Sequence, residues 1–564
     1  VNNKKKRILL VAEFSQLNTG FSVMNNDLLM KLHKTGKYEL AEFASYVNDD
    51  DPRIHQMPWK VYPVQPSENN KKETEVYQKN YQTAQFGSER FEQVVLDFKP
   101  DIVFSYRDYW HDEFITRSPY RSLFHYVWSA CIDSEPPREE WISTFSTVDT
   151  ITSYTDWGLN VIRNYGRGLI NCADFNTMPG VDLDVFKPMD KGECREKLGL
   201  ESKAKIFLTV MRNQPRKLFP EIIRAFMNAI DELYKSGKKE EADNSYLYLH
   251  TSNTDVGFDL EKEVIKYQAS NKVLFTYICD LCQHTFPSFN RGHLCHCPSC
   301  GKFNAHTANT SVGPNREQMA VIYNSADMYL QSSIAGALEI PIIEAKACGL
   351  PIISSEYAAP YELNLMGGVF GTLPIIGFKQ ESVRETGQFR AVIDCEKITD
   401  YILEYFKSDP SYLAKLSKDS IDTAQKYHNN DLTAEKWMSI FDAVSDSDYS
   451  RWTNPPEIIQ TDFGQIPANI DDSAFVKYCC EKYLPPKHQL RSLYPEKEIL
   501  KDMYLKGEKS DQGEVRQLGR SHIVNVIQSI VDRYNHFEQH RYNKLVLEPK
   551  QELLGATDNY FRVI

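Results

Sequence analysis

At 564 residues the chain is too long for one hydrophobic core, so two or three domains are expected. With 41% hydrophobic and 25% charged residues it has the balance of a globular protein, and a formal net charge of −12 excludes one whose whole surface grips nucleic acid. No apolar run approaches the roughly 20 residues that a membrane span needs, and the stretch Ile8-Leu-Leu-Val11 ends at Glu13, too early for a signal peptide.

In chain order, Arg7–Ala12 reads as a buried first strand, Ser15–Gly20 as a loop, and Val23, Leu28, Leu29 and Leu32 as the apolar face of a helix. Strands follow at Tyr38–Tyr46, Asp101–Phe104, Ser122–Cys131 and Thr150–Ser153, with a helix ending at Val94–Phe98. Pro179-Gly-Val-Asp-Leu-Asp-Val-Phe-Lys-Pro188 is a turn-rich connector, after which the alternation restarts. Its members are a strand at Lys205–Val210, a helix at Glu221–Leu233, and strands at Tyr246–Thr251, Val273–Ile278, Met328–Gln331 and Leu350–Ser354. Two alternating units predict two Rossmann-like domains, each with a parallel sheet covered on both faces and a cleft between them. We divide the chain at 1–185, 186–445 and 446–564. The last part, with Pro455-Pro456, Pro485-Pro486 and the stretch Ser521–Leu545, reads as a mainly helical extension.

In such sheets ligands bind beyond the carboxyl ends of the strands. Arg212 and Lys217 lie in the loop after Lys205–Val210, where Pro215 delays the next helix and leaves two cations facing the cleft. Ser332 to Pro351 carries a glycine-bearing loop that opens a short helix, whose free N–H groups suit a phosphate. Glu344 lies inside that helix among Ile343, Ala345, Ala347 and Cys348. These neighbours imply burial, and a buried carboxylate needs a partner.

As an ensemble these segments resemble the family 4 retaining glycosyltransferases of the GT-B fold. The connector is similar to the family's "PGVD…F.P", Arg212 and Lys217 to its phosphate-binding pair, Gln318–Asp327 to its "eel..ly..ad" segment, and Gly336–Pro351 to its "EGFGLPxxEAmAcGxP" signature. Tyr248–Thr251 with Gly257–Leu260 resembles a subgroup common in phages and archaea. The resemblance covers about residues 7–440 and implies transfer of a hexosyl or pentosyl group from a nucleotide diphosphate sugar. It makes residues 1–185 the acceptor-side domain and 186–445 the nucleotide-sugar domain. It also implies that Glu344 holds the donor ribose, with Ile340 at the donor helix start, and that Gly20, in Asn18-Thr-Gly-Phe-Ser22, lies near the donor phosphate. The family has a second glutamate eight positions earlier, where this chain has Gly336; Glu339 is the nearby carboxylate that can replace it. Asp133 and Asp108 follow strands of the first domain and take polar cleft roles by the same resemblance; a helix cap is the alternative for each. For Arg212 and Lys217 the alternative is a pair of solvated charges at a helix start.

Cys279-x-x-Cys282 and Cys297-x-x-Cys300, fourteen residues apart, form two knuckles that complete a tetrahedral zinc site within an inserted ribbon, 275–306. The zinc is expected to be structural, pinning a long loop; Cys295, His293 or His296 is an alternative ligand. The clustering of five of the 12 cysteines between 279 and 300 points to a reducing compartment, hence the cytoplasm, or the host cytoplasm if the chain is viral.

Two functions are expected in competition. One is an enzyme whose acceptor is a glycan, a lipid-linked intermediate, a protein or, leading, a hydroxymethylated base of phage DNA; the ribbon as a contact for a large acceptor, the resemblance to the phage subgroup and the C-terminal extension, mildly basic with 13 Lys/Arg against 10 Asp/Glu in residues 481–550, favour a macromolecular acceptor. The other is an inactive scaffold that binds nucleic acid or protein, favoured by the missing carboxylate at Gly336.

Overall fold

The computed structural model describes residues 5–17, 19–166, 168–253, 255–309, 312–381, 387–445, 450–453 and 470–483, with single residues at 524, 528 and 531. Most of the expected C-terminal extension, including nearly all of the basic stretch 481–550, therefore lies outside the described residues. Within them it contributes the helices Ser450–Thr453 and Asp472–Tyr483.

The first sheet contains β1 (Lys6–Glu13), β2 (Tyr38–Asn48), β3 (Lys60–Gln65), β4 (Ile102–Ser105), β5 (His125–Ala130) and β6 (Thr150–Ser153). All its pairings are parallel, in the order β3-β2-β1-β4-β5-β6. The near-continuous apolar run of β1 follows from burial on both faces. Leu9 and Val11 face one core with Val94, Val95 and Phe98, whereas Ile8 and Leu10 face another with Leu28, Leu29 and Leu32.

The second sheet repeats this plan. Its parallel part consists of β7 (Lys205–Val210), β8 (Ser245–His250), β9 (Val273–Cys279), then, after the insertion, β13 (Met328–Gln331), β14 (Ile352–Ser355) and β15 (Val369–Leu373). The order β9-β8-β7-β13-β14-β15 repeats that of the first sheet strand for strand. Between β9 and β13 lie β10 (Thr285–Phe289), β11 (Leu294–Cys295) and β12 (Ala305–Thr307), of which β10 and β12 pair antiparallel with β9. A hairpin, β16 (Ile375–Gln380) and β17 (Phe389–Ile393), follows β15.

Two of the features that join the halves lie at the connector and at the chain's return. Gly180 lies against the backbone of Asn429 and Asn430, so closely that a Cβ there would overlap it, and the Val181 amide donates to the His428 carbonyl at 2.9 Å. Beyond this crossing the helix Asn430–Ala443 returns to the first sheet, where Trp437, Ile440 and Phe441 pack with Ile8, Leu10 and Phe104.

Candidate active site and cysteine cluster

In each sheet the strand order reverses between its first and fourth parallel strands, the place where a crevice opens at the carboxyl edge. Gly20 and Asp108 follow β1 and β4; Arg212, Arg216 and Lys217 follow β7; Ser332–Glu339 follows β13. The two crevices face each other. Gly20 begins the helix Gly20–Thr35, capped by Thr19, and its Cα lies opposite Ile340, whose Cδ1 is 3.9 Å from where a Cβ would stand. Arg316 pairs with Asp27 at 3.0 and 3.1 Å, and the Glu135 amide donates to the Tyr357 hydroxyl at 3.0 Å.

The centre is a buried polar chain. The Lys217 ammonium donates to Glu339 Oε1 at 2.5 Å and to Ser333 Oγ at 3.2 Å, and Glu339 Oε2 accepts from Gln331 Nε2 at 2.7 Å. Burial pulls the Lys217 pKa down to about 8, against the raising effect of Glu339. Glu339 precedes the helix Ile340–Ala347 without capping it, so its carboxylate is left for Lys217. A Cβ on Gly336 would overlap that carboxylate, which thus occupies the space of the missing side chain. Arg216, which the sequence reading did not single out, donates to the Ala335 carbonyl at 2.5 Å and lies 4.0 Å from Glu339. Its signal was its position beside Lys217 after Pro215.

Arg212 makes a two-point contact with Asp255, Nε to Oδ2 and Nη2 to Oδ1, both 2.9 Å, while 57% of its side chain stays exposed. Asp255 lies in the loop after β8. Arg212 and Lys217 are therefore held by separate carboxylates. Glu344 lies one helical turn beyond Ile340, where its Oε2 accepts from the Tyr323 hydroxyl at 2.7 Å; burial raises its pKa to about 7.

From the first domain, Asp108 stands at the N-terminus of the helix Tyr109–Thr116 but makes no capping hydrogen bond. Burial and then the nearby Asp133 raise its pKa to about 7, with Arg216 opposing. Asp133 does not begin a helix; its Oδ2 pairs with Arg390 of β17 at 2.8 Å, and Arg390 also meets Glu381 at 3.1 Å. The hairpin thus reaches across the cleft, a contact 257 residues long in sequence that no local pattern announces.

The sulfurs of Cys279, Cys282, Cys297 and Cys300 all lie within 4.8 Å of one another, with Cys279–Cys300 at 3.7 Å and Cys282–Cys297 at 3.6 Å. Zinc–sulfur bonds of about 2.3 Å in a tetrahedron give edges of about 3.8 Å, so this donor set fits zinc. Cys295 lies in β11, opposite Ala305 and outside the cluster, as do His293 and His296. The first knuckle touches the second domain where Gln318 Nε2 donates to the Gln283 carbonyl at 2.8 Å.

No protein-family model matches the chain. D-inositol 3-phosphate glycosyltransferase 2 from Catenulispora acidiphila is 24% identical over 196 residues, which are 35% of this chain and 37% of that protein. The aligned stretch thus spans little more than a third of that relative. Sucrose-phosphate synthase from Thermosynechococcus elongatus superposes with a TM-score of 0.52 at 16% identity, over 78% of this chain and 98% of that one. The Anabaena protein HepE, solved in complex with UDP and glucose, superposes with a TM-score of 0.52 at 12% identity, over 78% of this chain and all of the other. Together with the two matched sheets, these likenesses define the architecture: the chain has the GT-B fold. Among the described residues no helix is long and apolar enough to cross a membrane.

Proposed function

We propose that this chain is a retaining glycosyltransferase of the family 4 type, moving a hexosyl or pentosyl group from a nucleotide diphosphate sugar to a macromolecular acceptor. The observation that carries the reading is the Lys217–Glu339–Gln331 chain beside Arg216, buried where the two crevices meet. Cations held in a water-poor crevice stabilise a leaving diphosphate far more than they would in water. In this reading Lys217, Arg216 and Arg212 receive the diphosphate, with the backbone at Gly20 and the helix start at Ile340 close to it. Glu344 accepts from the ribose hydroxyls and Glu339 contacts the transferred sugar. Asp133 and Asp108 face the acceptor side. Residues 1–185 then act as the acceptor domain and 186–445 as the donor domain, in a cytoplasmic protein. HepE, of the same fold, was solved with UDP and glucose, which supports a donor of that class.

The inactive-scaffold reading rested on the missing carboxylate at position 336, and Glu339 supplies a carboxylate at that place, which favours an enzyme. The ribbon's four thiolates would hold one zinc as a structural staple, and the metal would fix the loop's geometry rather than act at the cleft. The acceptor classes in competition are a hydroxymethylated base in phage DNA, a glycan, a lipid-linked intermediate and a protein.

A thermal-shift screen of UDP-, GDP- and ADP-sugars, followed by donor hydrolysis, tests the reading. A nucleotide sugar that stabilises the protein and is hydrolysed by wild type but not by Lys217→Ala is expected. Failure of every donor to bind would overturn it.

A further inference from the structure

At the carboxyl edge of the first sheet, three large aromatic side chains stand open to solvent: Tyr46, 37% exposed, Tyr81, 47%, and Trp110, 52%. We propose that Tyr81, Tyr46 and Trp110 form a stacking subsite for a neutral saccharide chain, and that such a chain is the acceptor. The site itself stands on its own observations; only the word acceptor rests on the transferase reading.

Tyr46 is aimed by an irregularity in its own strand. The pairing of β2 with β3 shifts register between Ala44 and Asn48, and Tyr46 has φ +66°. A bulky residue in the left-handed region is strained, and such strain persists only where the surrounding structure holds the residue in place. Bulges of this kind are frequent beside active sites, where they redirect a side chain.

Packed aromatic side chains back Tyr81 and Trp110. Tyr77 packs edge-on to Tyr81 at 5.8 Å between centroids, His111 lies over Phe86 at 4.1 Å, and Trp110 meets His111 at 5.5 Å. Beneath them the buried Arg107 guanidinium is fixed by Asp112, by Ser45 Oγ at 2.8 Å and by the Phe86 carbonyl at 3.2 Å. Pre-organised aromatic faces of this kind bind rings at a low cost in conformational entropy. The row also adjoins the cleft. Tyr46 feels the charge of Glu13, which acts on Arg212 as well, and Trp110 is two residues beyond Asp108.

Charge selects the ligand class. Sites that stack nucleic-acid bases on aromatic rings pair them with a positive groove for the phosphates. Here residues 45–112 carry 12 Asp and Glu against eight Lys and Arg. Asp49, Asp50 and Asp51 directly follow β2, and the nearby arginines are committed: Arg107 to Asp112, Arg90 to Asp49 and Arg53 to Asp51. A phosphate backbone would meet these carboxylates, and beside Tyr81 it would find only the lysines Lys71, Lys72 and Lys79 of the preceding helix, interspersed with Glu73 and Glu75. A pyranose ring carries no charge and presents C–H groups, which the negative face of an aromatic ring attracts.

The test is binding to the full chain without any donor, so that a failed transferase reading leaves it intact. Maltohexaose, cellohexaose, chitohexaose and a 16-nucleotide single-stranded DNA are titrated by calorimetry and by tryptophan fluorescence, with folding of each variant checked by thermal melting. At least one oligosaccharide should bind, with affinity reduced tenfold or more in Tyr46→Ala and Trp110→Ala and retained in Trp110→Phe, which keeps a ring. The proposal is overturned if no oligosaccharide binds, if the alanine variants bind equally well, or if the DNA binds instead and loses affinity in the same variants.

Discussion

The carboxylate of Glu339 lies where a side chain on Gly336 would begin, and the Lys217 ammonium donates to it from 2.5 Å. The two positions cannot both be filled: a methyl at 336 has to displace the glutamate. Gly336→Ala is therefore expected to lower turnover about a hundredfold, the effect of losing about 3 kcal/mol of transition-state stabilisation. Glu339→Ala should be worse for the fold, because removing one partner of a buried pair costs about 3–5 kcal/mol. Urea unfolding together with donor hydrolysis separates the two effects. Wild-type turnover in Gly336→Ala would show that the Glu339 position is unimportant to the reaction.

Arg212 and Lys217 should not respond alike. Lys217 is buried, and Lys217→Ala is expected to cost about a hundredfold in rate. Arg212 stands more than half exposed and is directed by Asp255. Asp255→Asn should thus lower kcat about tenfold through a misdirected Arg212, with little change in stability, and Asp255→Glu should restore part of it. Full activity in Asp255→Asn would mean that the pairing is a surface contact only.

Burial raises the Glu344 pKa from its ordinary 4.5 to about 7. On the proposed ribose-binding role, two hydroxyls would donate to the ionised form, so nucleoside diphosphate affinity should rise as pH rises through 7 and level off above it. Glu344→Gln should remove that dependence and bind more weakly at pH 8. The sign for stability is opposite. An acid with a raised folded pKa binds more protons when folded, so its contribution is present below 4.5 and is lost as pH climbs to 7. Calorimetry of wild type and Glu344→Gln from pH 5 to 8 checks both signs. Parallel affinity curves for the two proteins would remove Glu344 from the nucleotide site.

The strands buried on both faces were readable residue by residue: Thr150–Ser153, Lys205–Val210 and Met328–Gln331 begin and end where expected. β3 was not, because Pro63 and the mixed run KVYPVQ belong to a sheet edge, where burial imposes little pattern. The strand expected from Ser122 starts at His125, since Arg121–Leu123 is a 3-10 turn whose buried arginine pairs with Asp149 at 2.7 Å. Glu344 showed itself through its small apolar neighbours. The partners Asp255 of Arg212 and Arg390 of Asp133 did not, because a charge in a loop has no period and its partner is chosen by the tertiary fold. The return of Asn430–Ala443 to the first sheet was hidden for the same reason: an apolar helical face does not name what covers it.

The ribbon supplies the last prediction. Four thiolates should bind about one zinc per chain by elemental analysis, and chelation should remove hydrogen-exchange protection from β10, β11 and β12 while both parallel sheets remain folded. Its effect on activity depends on what the ribbon supports. The Gln283 carbonyl holds Gln318 at the start of the helix Arg316–Ser325, and that helix carries Arg316, paired with Asp27 across the cleft, and Tyr323, bonded to Glu344. Loosening the first knuckle therefore loosens groups beside Glu344, the carboxylate proposed to hold the donor ribose. Cys297→Ser is expected to lower donor hydrolysis and acceptor transfer together, by a similar factor, with weaker nucleotide binding as the common cause. A ribbon that grips the acceptor would behave differently: hydrolysis would survive and transfer alone would vanish. If the acceptor were DNA, binding would also weaken steeply with salt as counterions are released. Selective loss of transfer in Cys297→Ser, with nucleotide affinity unchanged, would overturn the staple and make the ribbon part of the acceptor site.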